Sequence, residues 1–207
     1  MGGRGGSSHR STASARGGRA MMDWSGEQNA KNWLMRDLGY SATEANRMYD
    51  LMRYYYGSGY DDYTSTNQFA RKTELSEALN RLPYYNGDKL YRGMIMSDQE
   101  ADRFFVNRWT TGSTQNLGGR IQSFSDTKSV SESFAGWQYV GTGKTSIMLV
   151  LEGNRTIPGV AHLSFQRGER EALAPINFEF EVIRSETTYS SNGGRRVTYY
   201  IKDKKKR

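Results

Sequence analysis

Two glutamates stand one residue apart in the stretch "GEREALAP" at positions 168–175. On an extended strand alternate side chains share a face, so Glu169 and Glu171 would project together, with Cα atoms roughly 7 Å apart, while Arg170 points the other way. Two carboxylates on one face can divide acid/base work and charge stabilisation between them. Taken alone, the pair also fits ordinary charge on a solvated strand end.

An arginine and a glycine lie inside the short apolar strand pattern "KLYRGM" at positions 89–94. Removing the Arg92 guanidinium from water there costs free energy unless an anion compensates. A planar guanidinium can bind a phosphate through two parallel hydrogen bonds. A salt bridge to a neighbouring carboxylate is the alternative interpretation. Gly93 would allow a ligand to approach the backbone closely, because it has no Cβ.

A pair of serines opens the stretch "SFSDTKSVSESFA" at positions 123–135. Ser123 and Ser125 would share one face of a strand, and Phe124 would point to the other face. Considered without their neighbours, the two hydroxyls are no more than polar groups at a strand end.

These three stretches, "YRG", "SFSDTKSVSESFA" and "FQRGEREALAP", occur in the order and spacing of a known family. The chain resembles the Arg-Ser-Glu class of ADP-ribosyltransferases, the relatives of cholera-like toxins, clostridial actin-modifying toxins and arginine-specific cellular enzymes, with phage-encoded members. The resemblance spans roughly residues 88–185, about half of the chain.

The resemblance implies a role for each matching residue. Arg92 is similar to the arginine that holds the phosphates of NAD, and Gly93 to the glycine whose backbone contacts the nicotinamide amide. Ser123 is similar to the serine that orients the catalytic glutamate, with Ser125 beside it in the NAD site. Glu171 matches that glutamate, which hydrogen-bonds the nicotinamide ribose.

Three further residues take roles that depend on the acceptor and on the nicotinamide ring. Glu169 matches the acid found upstream of the catalytic glutamate when the acceptor is arginine. Phe165 occupies the place of the substrate-binding aromatic in the family's ARTT loop, which precedes the glutamate pair. Phe134 would form a wall of the nicotinamide site. For Phe165 and Phe134, packing in the core is an equal alternative.

The activity that the resemblance implies is mono-ADP-ribosylation of arginine in a target protein, with NAD as co-substrate. ADP-ribosylation of a nucleic acid or nucleotide, plain NAD hydrolysis, and a non-catalytic binding or structural module are the alternatives. The reaction needs no metal, because nicotinamide leaves as a neutral group. The chain has no cysteine, and neither His9 nor His162 has partners at metal-ligand spacing, so no metal site is predicted.

The elements that must position these residues follow from the periodicity. Three amphipathic helices are predicted within residues 23–82, the first two with Ser25 and Gln28, and Ser41 and Glu44, at capping-box spacing. Mostly strands follow, interrupted by short helices at 97–109 and 127–137. This order predicts an α+β fold built on antiparallel sheet, and the resemblance makes it an ADP-ribosyltransferase-like split antiparallel β-sandwich with an N-terminal helical lobe.

The predicted organisation is a disordered Gly/Ser/Arg-rich tail at 1–22, one domain at 23–201 and a basic tail at 202–207. The domain comprises the helical lobe 23–82 and the NAD-binding β core 88–201. The net charge of +7 belongs to the two tails, which leaves about −1 for residues 20–201. The tails could hold nucleic acid weakly. The lack of cysteine, of a secretory leader and of a membrane span predicts a cytoplasmic protein, in a host cell if the protein is phage-encoded.

Overall fold

The structure, a computed structural model, describes residues 22–23, 26–59, 63, 70–83, 88–153, 159–161 and 170–204. The described residues form one mixed sheet, with three helices between its first and second strands and two short helical segments further along the chain. The helices are α1 Glu27–Leu38, α2 Ala42–Tyr56, α3 Ala70–Leu79, α4 Asp98–Ala101, which continues into a π-helix at Asp102–Val106, and α5 Lys128–Phe134. No helix among these residues is long and apolar enough to cross a membrane.

Helix α2 begins with the capping box that the sequence predicts. The Ser41 backbone N–H donates to Glu44 Oε2 at 2.8 Å, and the Glu44 backbone N–H donates to Ser41 Oγ at 3.2 Å. The corresponding prediction for α1 is wrong, because the N-cap of α1 is Gly26 and has no side-chain cap. Ser25 lies outside the described residues.

The cap of α2 makes folding sensitive to acid. Bonds from the Ser41 backbone and hydroxyl, with a weaker contribution from Arg81, hold the pKa of Glu44 at about 2 instead of 4.5. The folded-state pKa is the lower one, so the stabilisation is present above about pH 4.5 and is lost as the pH falls toward 2. We expect Glu44→Gln to flatten the dependence of the unfolding temperature on pH between these values.

Thermal unfolding followed by circular dichroism from pH 2 to 7 checks this expectation. Glu77→Gln, which removes a carboxylate from an exposed position of α3, is the matched control and should keep the wild-type slope. The same slope in wild type and Glu44→Gln would show that the cap does not carry the acid sensitivity.

Nine strands make up the sheet in the described part of the chain, in the spatial order β1-β6-β7-β4-β2-β5-β9-β8-β3. In chain order they are β1 Met22–Asp23, β2 Lys89–Ser97, β3 Thr114–Asn116, β4 Gln122–Ser125, β5 Lys144–Glu152, β6 Gly159–Ala161, β7 Arg170–Ala174, β8 Glu179–Tyr189 and β9 Arg195–Asp203.

Most neighbouring strands run antiparallel, as the sequence predicts, with two differences from the predicted organisation. Strands β5 and β9 run parallel, as do β1 and β6, so the sheet is mixed and not purely antiparallel. Strand β9 continues to Asp203, so Lys202 and Asp203 pair with β8 two residues beyond the predicted end of the domain at 201.

The helical lobe packs on the β7 and β4 side of the sheet. Leu173 of β7 and Ile121, just before β4, join a cluster of buried lobe residues that includes Leu34, Met52 and Leu75. The residues that alternate with Leu173 face the opposite way, and Phe124, Ala172 and Ala174 join the main core beneath β2, β5 and β9. Strands β4 and β7 are therefore enclosed between two apolar clusters, which fixes their register.

Two hydrogen bonds also attach the lobe to the ends of these strands. The Ile176 backbone N–H donates to Ser76 Oγ at 3.0 Å, and the Ile121 backbone N–H donates to the Tyr63 carbonyl at 3.1 Å. The first bond lies just after β7 and the second just before β4. The lobe is thus held in place next to both strands.

Candidate active site

The pairing of β4 with β7 places the predicted serines and the glutamate on one face of the sheet. Ser125 lies opposite Glu171 and Ser123 lies opposite Leu173, and directly paired residues share a face. This face is the one that the helical lobe covers, as the packing of Leu173 shows. Glu171 is accordingly only 8% exposed.

Both oxygens of the Glu171 carboxylate accept hydrogen bonds from hydroxyl groups. The Ser123 hydroxyl donates to Oε1. The hydroxyl of Tyr56, the last residue of α2, donates to Oε2. The carboxylate is therefore held from the sheet on one side and from the lobe on the other.

Arg92 joins this pair from the neighbouring strand. Its Nη1 donates to the Ser123 carbonyl at 2.7 Å. Strand β2 pairs with β5 along all nine of its residues but with β4 only at Tyr91, opposite Ser125. The sheet is thus split between β2 and β4 among the described residues, and Arg92 lies at the start of this split. The structure brings together Arg92, Ser123 and Glu171, which are far apart in the sequence.

Gly93 has a packing role that the sequence analysis did not give. A Cβ built on it would lie 1.7 Å from the Ser131 carbonyl oxygen and 3.0 Å from the Ala135 Cβ. The backbone of α5 thus fills the space that the absent side chain leaves. The backbone contact to nicotinamide that the resemblance implies for Gly93 stays a prediction.

Ser125 and Phe134 lie at the two ends of the α5 segment. Ser125 is buried, and its Oγ accepts from the Thr127 backbone N–H at 3.1 Å, which stabilises the turn between β4 and α5. Phe134 is 60% exposed, so the alternative that it packs in the core is wrong. An exposed ring at the end of α5 is compatible with a wall for a flat ligand.

Glu169 and Phe165 lie outside the described residues, since β7 begins at Arg170. Their roles therefore stay predictions. No group of three or more histidine or acidic side chains that could hold a metal ion is found in the described part of the chain.

The sequence analysis missed Tyr56. In the run "YYY" at the end of α2 the helical periodicity assigns Tyr55 to the core, where the structure places it, and gives Tyr56 no function. A partner 115 residues away leaves no local signal.

No family model matches the sequence, and no curated protein matches it either. Solved structures do match. The ADP-ribosyltransferase Vis, a toxin from Vibrio splendidus, superposes in its complex with agmatine with a TM-score of 0.57 at 21% identity, over 87% of this chain and 83% of that chain.

Two further bacterial proteins share the architecture. The type III effector XopAI from Xanthomonas axonopodis pv. citri gives a TM-score of 0.57 at 16% identity, over 86% of this chain and 71% of that one. The enzymatic component C2-I of the Clostridium botulinum C2 toxin gives 0.52 at 18% identity, over 84% of this chain and 47% of its own length.

The chain therefore has the fold of the ADP-ribosyltransferases, and the α+β architecture with a helical lobe predicted from the sequence is confirmed. At identities of 16–21% the likeness concerns the fold.

Proposed function

We propose that the protein is a mono-ADP-ribosyltransferase that cleaves NAD and transfers ADP-ribose to arginine in a target protein. The observation that carries this proposal is the hydrogen-bonded series from Arg92 to the Ser123 backbone and from the Ser123 hydroxyl to Glu171. It places a cation and a nearly buried carboxylate at the same split in the sheet, on an ADP-ribosyltransferase fold.

These residues fit NAD by their chemistry. The guanidinium of Arg92 would bind the pyrophosphate, whose oxygens match its planar donors. Glu171 would accept a hydrogen bond from a hydroxyl of the nicotinamide ribose. The exposed ring of Phe134 would flank the nicotinamide.

Breaking the bond between ribose and nicotinamide builds positive charge on the anomeric carbon and the ring oxygen, as in glycoside hydrolysis. The bonding electrons leave with the nicotinamide nitrogen, which becomes neutral. A carboxylate held close to the ribose binds this cationic transition state more tightly than it binds the ground state. Glu171 would supply that charge, and its two hydroxyl donors fix the carboxylate before NAD arrives.

The acceptor in the proposal is an arginine side chain. A guanidinium, with a pKa above about 12, attacks a carbon only when it loses a proton. Glu169, two positions before Glu171 in the sequence, would take that proton while the acceptor nitrogen bonds to the anomeric carbon. Agmatine, the ligand of the Vis complex, carries the same guanidinium group, which favours an arginine acceptor here.

The test separates cleavage from transfer. The wild-type protein is incubated with NAD and agmatine, released nicotinamide is quantified, and adducts are identified by mass spectrometry. We expect agmatine adducts from the wild type. We expect Glu169→Gln to lose transfer by about 10²-fold or more, the usual contribution of a general base, while NAD hydrolysis stays within about 3-fold.

Other outcomes would favour the other candidates. Adducts on added RNA or nucleotides, but not on agmatine, would replace the arginine acceptor. Free ADP-ribose alone would leave a hydrolase. Nicotinamide release at background, equal in the wild type and a Glu171 variant, would leave a binding or structural module.

A further inference from the structure

The contact between Tyr56 and Glu171 links two parts of the fold. Tyr56 ends helix α2 in the lobe, and Glu171 lies on β7 of the sheet. The tyrosine hydroxyl donates to Oε2, the carboxylate oxygen that does not accept from Ser123.

Several contacts fix the position of Tyr56. Its ring packs edge-on against the buried ring of Tyr55, with centroids 4.9 Å apart and an angle of 88° between the planes. The lobe that carries both rings is bonded to the sheet just beyond β7, where Ile176 donates to Ser76. The hydroxyl of Tyr56 is therefore held at a set distance from the strand that carries Glu171.

A carboxylate has room for about four hydrogen bonds, two on each oxygen. Ser123 and Tyr56 use one position on each oxygen of Glu171. Neither donor therefore saturates the oxygen that it bonds to. Two fixed donors on opposite oxygens also oppose rotation of the Glu171 side chain, which one donor alone would allow.

We propose that Tyr56 is a positioning residue that holds the Glu171 carboxylate in the orientation needed for NAD cleavage. The inference rests on the proposed function. It assigns the helical lobe a part in the chemistry, because the lobe supplies the Tyr56 hydroxyl that donates to the carboxylate. The competing explanation is that Tyr56 only packs the lobe against the sheet.

Tyr56→Phe separates the two explanations, because it removes the hydroxyl and keeps the ring. We expect kcat for nicotinamide release to fall about 10- to 100-fold, the effect of losing one hydrogen bond to a charged group, with KM for NAD within about 3-fold. Tyr49→Phe removes a hydroxyl from the same helix at a position where Lys31 lies over the ring, and it should leave kcat unchanged. A purely packing role predicts wild-type kcat in both variants.

A second measurement does not depend on turnover. In protein labelled with ¹³C at glutamate side-chain carboxyl carbons, the resonance missing from Glu171→Gln belongs to Glu171. We expect this resonance to move in Tyr56→Phe and to stay in place in Tyr49→Phe.

The two measurements together distinguish the possible failures. Wild-type kcat in Tyr56→Phe, or an unmoved resonance, overturns the positioning role. If the wild type releases no nicotinamide while the resonance moves, the proposed function fails and the contact between lobe and carboxylate is retained.

Discussion

Replacing Glu171 by glutamine is expected to lower kcat for NAD cleavage by about 10²- to 10³-fold, the loss seen when one preorganised electrostatic group is removed from an active site. The amide is nearly isosteric, and the hydroxyls of Ser123 and Tyr56 can each rotate to bond with it. The substitution therefore removes the negative charge and keeps the shape. Because that charge acts on the transition state, KM for NAD should change much less than kcat.

Nicotinamide release at saturating NAD, with NAD affinity from calorimetry, tests this expectation. Glu181→Gln is the matched control. Glu181 of β8 forms an ion pair with Lys202 of β9, away from the split between β2 and β4. The control should keep the wild-type rate. A Glu171→Gln protein that retains more than a tenth of the wild-type kcat would show that the carboxylate is not the stabilising charge.

The second large effect concerns folding. Gly93→Ala is expected to destabilise the protein by more than about 2 kcal/mol, at the upper end of the cost of overpacking. The added Cβ would meet the Ser131 carbonyl oxygen at 1.7 Å and the carbonyl carbon at 2.7 Å. Both atoms belong to the backbone of α5, so no side-chain rotation relieves the clash and the helix must move as a whole.

Urea unfolding of Gly93→Ala gives the loss directly. Gly141→Ala is a suitable control, because a Cβ at Gly141 would meet no atom within 4 Å and the backbone there is not left-handed. Its stability should stay within about 0.5 kcal/mol of the wild type. Equal stability in the two variants would show that α5 adapts to the extra methyl group and that the close packing is dispensable.

The sequence predicted the elements whose pattern of apolar residues is clear. The apolar run "TSIMLVLEG" at 145–153 predicts a buried strand, and the stretches "FEFEVIRSETTY" at 178–189 and "RRVTYYIKD" at 195–203, joined by the turn "SSNGG", predict a hairpin. Strands β5, β8 and β9 lie within one or two residues of these bounds. The helix expected at 97–109 is instead a four-residue α-helix followed by a π-helix. Phe105 of the π-helix packs against Tyr199 of β9, a contact with a distant strand that the local sequence does not encode.

The residues of the candidate site are visible in the sequence to the extent that their chemistry is local. An arginine in an apolar strand and serines and glutamates at alternate positions are visible in the sequence, and the structure brings Arg92, Ser123 and Glu171 together. Tyr56 was not predictable, because its role depends on how the end of α2 meets β7. The packing role of Gly93 likewise depends on where α5 crosses β2.

The bond from Arg92 to the Ser123 carbonyl would restrict how the phosphates of NAD can approach this arginine in the proposed function. A guanidinium is a rigid plane, so the bond from Nη1 to β4 restricts the direction in which the whole group faces. An anion that approaches along this direction would bind the guanidinium without first ordering the arginine side chain. The rotamer entropy of a free arginine side chain amounts to about 2 kcal/mol. If Arg92 binds the phosphates of NAD as proposed, an anion that needs another approach must first break the bond to β4, so the bond would discriminate among phosphorylated ligands.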